Sequence, residues 1–358
     1  MKTFQCAILG NSLSAEVTNW IQSLLHEDQL TWQIAVSLEI PNQDYQTWLL
    51  SLKMDARHRS FQATNRECLQ KADIVFLSVE EAASIPFGID TISQSYQVIR
   101  TYVDLGKMVA TQAPDAWIVP LTSMRALVMS ALWKATHSQK IISIDLNFHE
   151  RVLAWEFALG LEAVQPLRYI TLGIPDFSWI VEATNQDQSW YGEPIKNQIV
   201  CTWLARFRAL PVCSQDVFDY VYPLYSMKLP KPIGNTHTNL SLASLFTGKQ
   251  TLRTLALPNT GQWKGFPLGC PVETLGLVRL NQVQPVYAGT LPEGVTIQSM
   301  RLYDQMQLVV DAILGDSSQR LFEAMALDRS NLSYTLDEIR ERSNILFETW
   351  MKYKSTRT

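Results

Sequence analysis

Near its start the chain reads AILGNSLSAE (7–16), an apolar run that breaks at a glycine before a polar, helix-opening stretch. In the turn GxGxxG that cradles a dinucleotide, the first glycine makes the tight turn and the second lets backbone approach the pyrophosphate. The third allows close helix packing. Gly10 fills the first place, Ser12 the second and Ala15 the third. Alanine is tolerable at the third place, whereas Ser12 puts a Cβ where the diphosphate would lie against backbone. An acidic residue ending the second strand would take the ribose hydroxyls; Ser37 stands at that position, with Glu39 two residues on and on the same strand face. Gly10, Asn11, Ser12, Ser37 and Glu39, with Ser78 and Thr122 at the ends of later strands, are the expected cofactor-binding residues, and NAD the expected cofactor.

Such a turn needs a parallel sheet behind it. Short apolar runs at 4–9, 33–38, 72–79, 116–121 and 140–146 alternate with helical patterns at 17–25, 44–56, 90–111 and 123–136, as βαβ units do. This predicts a Rossmann-like, doubly wound parallel sheet covered on both faces, an α/β fold whose ligands sit beyond the strand C-termini at the switch point. From about 147 the pattern changes to a helix over 148–160, a strand over 169–174, a polar loop or hairpin over 182–200, and two long amphipathic segments at 298–315 and 335–353. Thr335, with Glu338 three residues later, reads as a helix N-cap. The expected organisation is a dinucleotide-binding domain over 1–146 and a mixed α+β substrate and oligomerisation domain over 147–358.

Composition bounds the function. The 358 residues are 47% hydrophobic and 18% charged, with a net charge of −4, which offers no strong field for nucleic acid. No stretch approaches the roughly 18–20 apolar residues of a membrane span, and the first residues lack a signal-peptide pattern, so a cytoplasmic protein is expected. The five cysteines are scattered without a CxxC, so neither a disulfide framework nor a zinc knuckle is indicated. Eleven tryptophans suit buried cores and a large subunit interface, and a homodimer or homotetramer is expected.

Several stretches, in order, carry a resemblance: KADIVFLSV, GIDTISQ with a following IRT, PDAWIVPLTSMRALV, KIISIDLN, LGIPDFSWIVEA, and a tail with LALPNTGQWKGFPLGCPVETLGLVRLNQVQPVYAGTLP and ALDRSNLS. This series resembles the NAD-dependent glycoside hydrolases of family 4, which share their fold with lactate and malate dehydrogenases. The resemblance covers nearly the whole chain. It implies a mechanism in which NAD takes hydride from sugar C3, a metal held by Cys and His polarises the ketone, a base removes the C2 proton, and the leaving group is eliminated. Where the family has that Cys this chain has Asp145, and where it has the His this chain has Asp176. Two hard oxygen donors would favour Mg²⁺ or Mn²⁺, with His149, four residues past Asp145, as a third ligand or base; both acids also read as caps or turn residues. The family's tyrosine-rich stretch is echoed by VFDYVYPLY, making Tyr220 and Tyr222 candidate bases provided a neighbouring cation or metal lowers their pKa, with alternation on a strand placing both on one face; aromatic packing at a lobe interface is the other reading. Thr122-Ser123-Met124 stands where the family has TNP, so Ser123 is a candidate substrate contact or a plain helix N-cap. Arg100 and His237 complete the expected substrate contacts.

Three functions remain open from these residues: a divergent family 4-like enzyme acting on a sugar or sugar acid with NAD and a divalent metal; a dehydrogenase of a small hydroxy acid; and a non-catalytic relative with a binding or assembly role. The dehydrogenase version is weakened because no catalytic histidine stands at Ile174-Pro175-Asp176.

Overall fold

A computed structural model of the chain describes residues 3–12, 18, 30–38, 46–48, 59–81, 89–145, 147–158, 168–185, 188–189, 198–225, 227–231, 242, 244–247 and 249–357. The expected helices at 17–25 and 44–56 fall almost wholly outside these residues, as do Glu39 and His237. The chain forms two compact units: Met1–Ser143 with Leu240–Gly248 and Asp304–Thr358, and Ile144–Asn239 with Lys249–Tyr303. The chain passes from the first unit to the second at 143/144, and residues 304–358 lie in the first unit.

In the first unit, β1 (Thr3–Gly10), β2 (Thr31–Leu38), β3 (Arg59–Gln62), β4 (Ile74–Ser78) and β5 (Trp117–Leu121) form a sheet in the order β3-β2-β1-β4-β5. Every neighbouring pair is parallel. Strands covered on both faces must be apolar throughout rather than alternating, and Ala7, Ile8, Leu9, Ile74, Val75, Phe76 and Leu77 are accordingly without solvent exposure. The expected strand over 140–146 is only an isolated bridge between Ile141 and Ile118 of β5. The fifth strand is instead β3, whose sequence RSFQ is mostly exposed and therefore carries no apolar run to announce it. Among the helices of this unit are α1 (Asn65–Leu69), α2 (Ile89–Gln112) and α3 (Arg125–Thr136). Gly106 lets α2 approach α3 closely: a Cβ there would stand 2.4 Å from Leu132 Cδ2.

The second unit begins with α4 (Phe148–Ala158). Its sheet runs β10 (Thr251–Pro258), β11 (Pro271–Arg279), β6 (Arg168–Ile174), β7 (Phe177–Asn185), β8 (Gln188–Ser189), with β12 (Gln282–Pro285) on β11 and β9 (Leu210–Val212) on β7. All these pairings are antiparallel. Between β6 and β7 only Pro175 and Asp176 turn the chain, since Ile174 already pairs with Phe177. Proline pre-sets φ at the first turn position, and Asp176 takes the left-handed conformation at φ 71°, which Asp tolerates better than most residues. Helices α5 (Gln198–Phe207) and α6 (Gln215–Val221) flank β9. Asn259 organises the loop after β10: its buried amide donates to the carbonyls of Trp263, Phe266 and Pro267 and accepts from Gly261 and Trp263 N–H.

Helix α7 (Glu293–Gly315) crosses the unit boundary at 303/304, and α8 (Ser318–Leu327) and α9 (Leu336–Arg357) follow in the first unit. The expected cap of α9 is present as a full capping box: Glu338 N–H donates to Thr335 Oγ1, and Thr335 N–H to Glu338 Oε2. Among the described residues no helix is long and apolar enough to cross a membrane.

Candidate functional site

In the first unit the strand C-termini form a crest. Gly10, at φ 139°, pairs with Ser78 across β1 and β4, and a Cβ at Gly10 would fall 1.8 Å from the Ser78 carbonyl oxygen. Only glycine fits there. Asn11 N–H donates to that same carbonyl at 3.0 Å, and its Oδ1 accepts from Glu80 N–H at 2.9 Å. Glu81 makes the next stitch: its Oε2 accepts from both the N–H (2.8 Å) and the hydroxyl (2.6 Å) of Ser123, in the loop after β5. Burial raises the Glu81 carboxyl above its usual range, opposed by hydrogen bonds from Ser123 and Thr122. Beneath it Tyr102 is fully buried and its hydroxyl is pushed well up, first by burial and then by the Glu81 charge. The crest is thus a chain of hydrogen bonds joining the ends of β1, β4 and β5.

This changes the standing of several expected residues. Asn11 and Ser123 hold loops together, and Thr122 Oγ1 accepts from Met124 N–H. The N-cap of α3 is Met124, without a side-chain cap, so neither Thr122 nor Ser123 is that cap. Ser78 is buried inside the sheet end, whereas Ser12 and Ser37 are half-buried at the crest. Glu81 was not legible as a site residue, because nothing in VEEAAS distinguishes a carboxylate that turns inward.

A second cluster lies in the second unit. Asp145, 6% exposed, opens α4: its Oδ1 accepts from Asn147 N–H at 2.9 Å and its Oδ2 from the Arg151 guanidinium at 2.7 Å. Burying a carboxylate requires such a partner. Asp145 and Asp176 do share a neighbourhood, for both act electrostatically on the buried thiol of Cys213. Burial pushes that thiol up to about 12, Arg151 acting downwards and Asp145, Asp219 and Asp176 upwards. His149 is half-buried on α4, and burial lowers its pKa, against the pull of Glu150.

Other expected residues serve packing. Tyr220 and Tyr222 are not on a strand: Tyr220 lies in α6, N-capped by Ser214, and Tyr222 is that helix's C-cap. Tyr220 is half-buried, while Tyr222 packs among Phe177, Trp179, Phe207, Phe218 and Tyr225. Arg100 is pinned on α2 by Asp316 at 2.6 Å, with Lys354 on the same carboxylate. It forms an ion pair within the first unit.

Residues 214–330 match the model of the family 4 glycosyl hydrolase C-terminal domain. The chain is similar to the family 4 glycosyl hydrolases over that region. It is 20% identical over 353 residues to an alpha-galacturonidase of Bacillus subtilis, covering 74% of this chain and 79% of that one. Among solved structures it resembles the 6-phospho-beta glucosidase of Thermotoga maritima determined with manganese, NAD⁺ and glucose-6-phosphate, with a TM-score of 0.77 at 12% identity over 97% of this chain and 99% of that chain. The malate dehydrogenase of Cryptosporidium parvum shares the fold more distantly, at a TM-score of 0.57 and 12% identity over 88% of this chain and 100% of that chain.

A dinucleotide fits the crest of this family 4 relative. The strand order reverses between β1 and β4, and Gly10 permits the tight approach there. A divalent cation does not fit at Asp145 and Asp176. Both Asp145 oxygens already accept from protein donors, and among the described residues no group of three His, Cys, Asp or Glu side chains is placed to hold a metal.

Proposed function

We propose that the chain is an NAD-dependent glycosidase acting on a glycoside of a sugar acid, of the galacturonide class. The observation that carries this reading is the Gly10 approach at a β1/β4 switch point in a chain whose C-terminal part matches the family 4 domain. The galacturonide class comes from the alpha-galacturonidase relative. NAD, when bound, supplies hydride acceptance from the sugar. Gly10, Ser12 and Ser37 would lie against it, with Asn11 and the Glu81–Ser123 pair holding the surrounding loops in register.

The test is a thermal-shift titration of the full chain with NAD⁺ and NADH, followed by incubation with an α-galacturonide in deuterated water. NAD⁺ at about 100 times its Kd stabilises by about 2.7 kcal/mol, and deuterium entering sugar C2 marks oxidation followed by elimination. A flat response to both nucleotides ends the enzyme reading. It would leave the non-catalytic relative, which one observation favours: the family's metal-ligand positions are spent on an internal ion pair and a turn. A homodimer or homotetramer belongs to the same proposal and is read by light scattering.

A further inference from the structure

We infer that the guanidinium of Arg151 takes the place of the divalent cation at Asp145, so that this chain balances its buried carboxylate with a cation of its own and holds no metal there. The Thermotoga maritima relative was determined with manganese, and a chain that had exchanged ligand types while keeping the ion would leave carboxylate oxygens open to it. Here the opposite is found. Asp145 is 6% exposed, Oδ1 is closed by Asn147 N–H at 2.9 Å, and Oδ2 is closed by Arg151 at 2.7 Å.

The local sequence explains the arrangement. Asp145 forms an Asx-type turn onto Asn147, which starts α4, and Arg151 N–H donates to Asn147 O, so the helix carries Arg151 back towards the carboxylate six positions earlier. Arginine keeps its charge at any accessible pH and stays weakly hydrated, which suits a partly buried pair in which its own side chain is 18% exposed. A divalent ion entering beside it would meet a like charge at short range. Asp176 sits in the β6–β7 turn, the nearby Cys213 thiol is held protonated by burial, and among the described residues no group of three His, Cys, Asp or Glu side chains is placed to hold a metal. The inference concerns charge balance in the second unit and stands apart from nucleotide binding, which the NAD⁺ titration of the unmodified chain reads separately.

The experiment measures manganese retained by the full chain after equilibration with Mn²⁺ and desalting, with free Mn²⁺ followed by electron paramagnetic resonance and stability by thermal shift. The unmodified chain is expected to retain no stoichiometric Mn²⁺ through Asp145. Arg151→Met leaves the carboxylate uncompensated and is expected to gain a Mn²⁺-dependent rise in melting temperature, absent from the double variant Asp145→Asn/Arg151→Met. Arg151→Lys, which restores the charge, behaves as the unmodified chain. If Arg151→Met folds poorly, refolding with and without Mn²⁺ gives the same readout. Stoichiometric Mn²⁺ in the unmodified chain that Asp145→Asn abolishes would overturn the inference, as would an Arg151→Met chain indifferent to Mn²⁺; an ion that survives Asp145→Asn is not held by this carboxylate and agrees with it.

Discussion

The strand crest of the first unit and the Asp145 cluster of the second are built on different demands. At the crest the demand is on backbone: Gly10 must lack a Cβ because the Ser78 carbonyl occupies that space, and the loops around it are stitched by Asn11 and by Glu81 with Ser123. At the Asp145 cluster the demand is on side chains and a turn: Asp145 is paired with Arg151, and Asp176 turns β6 into β7. A geometric requirement shared with the fold persists because losing it costs the sheet. A ligand set is free to change once another cation neutralises the site.

The largest effect should come from Gly10→Ala, which adds both a clash and a strained φ; a loss of about 4 kcal/mol or more is expected in urea unfolding, and a loss under about 1 kcal/mol would mean the crest adapts as readily as the cluster. Next comes the ion pair. Asp145→Asn or Arg151→Met alone should each cost roughly 3 kcal/mol, the low end for a buried pair because Arg151 is partly exposed, while the double variant recovers part of that loss. Independent, additive losses would break the comparison by showing that no pair exists.

A smaller effect separates charge from backbone within the first unit. Burial raises Asp316, but hydrogen bonds from Lys354 and Arg100 outweigh it and hold the carboxyl below its usual value. A depressed acid stabilises above its unfolded pKa of about 3.9 and loses that contribution as pH falls through the lower folded value. Between neutral pH and the region below about pH 4, the urea midpoint should therefore drop further in the unmodified chain than in Asp316→Asn. The smallest change expected is Thr335→Ala, about 1 kcal/mol for an exposed helix cap, measured by the same unfolding curve; it calibrates what a purely local contact contributes.

Much of the fold was legible. Continuous apolar runs announced β1, β2, β4 and β5, and Thr335 with Glu338 announced the start of α9. What escaped had no periodic signal: β3 is a short polar edge strand, and α6 was hidden because its tyrosines alternate like a strand while Ser214 caps a helix. The candidate site was less legible. Gly10 was found from its motif position, but Arg100 proved to be tied to Asp316, 216 positions away, and Glu81 gave no sign of bonding Ser123, 42 positions away.

By itself the sequence determined the parallel sheet, the glycine at its crest and the presence of aspartates at 145 and 176, since each follows from residue type and local spacing. Only the tertiary structure decided what those aspartates do. A carboxylate's role depends on which cation shares its burial, and that partner was set by how Asn147 starts α4 and returns Arg151 to Asp145.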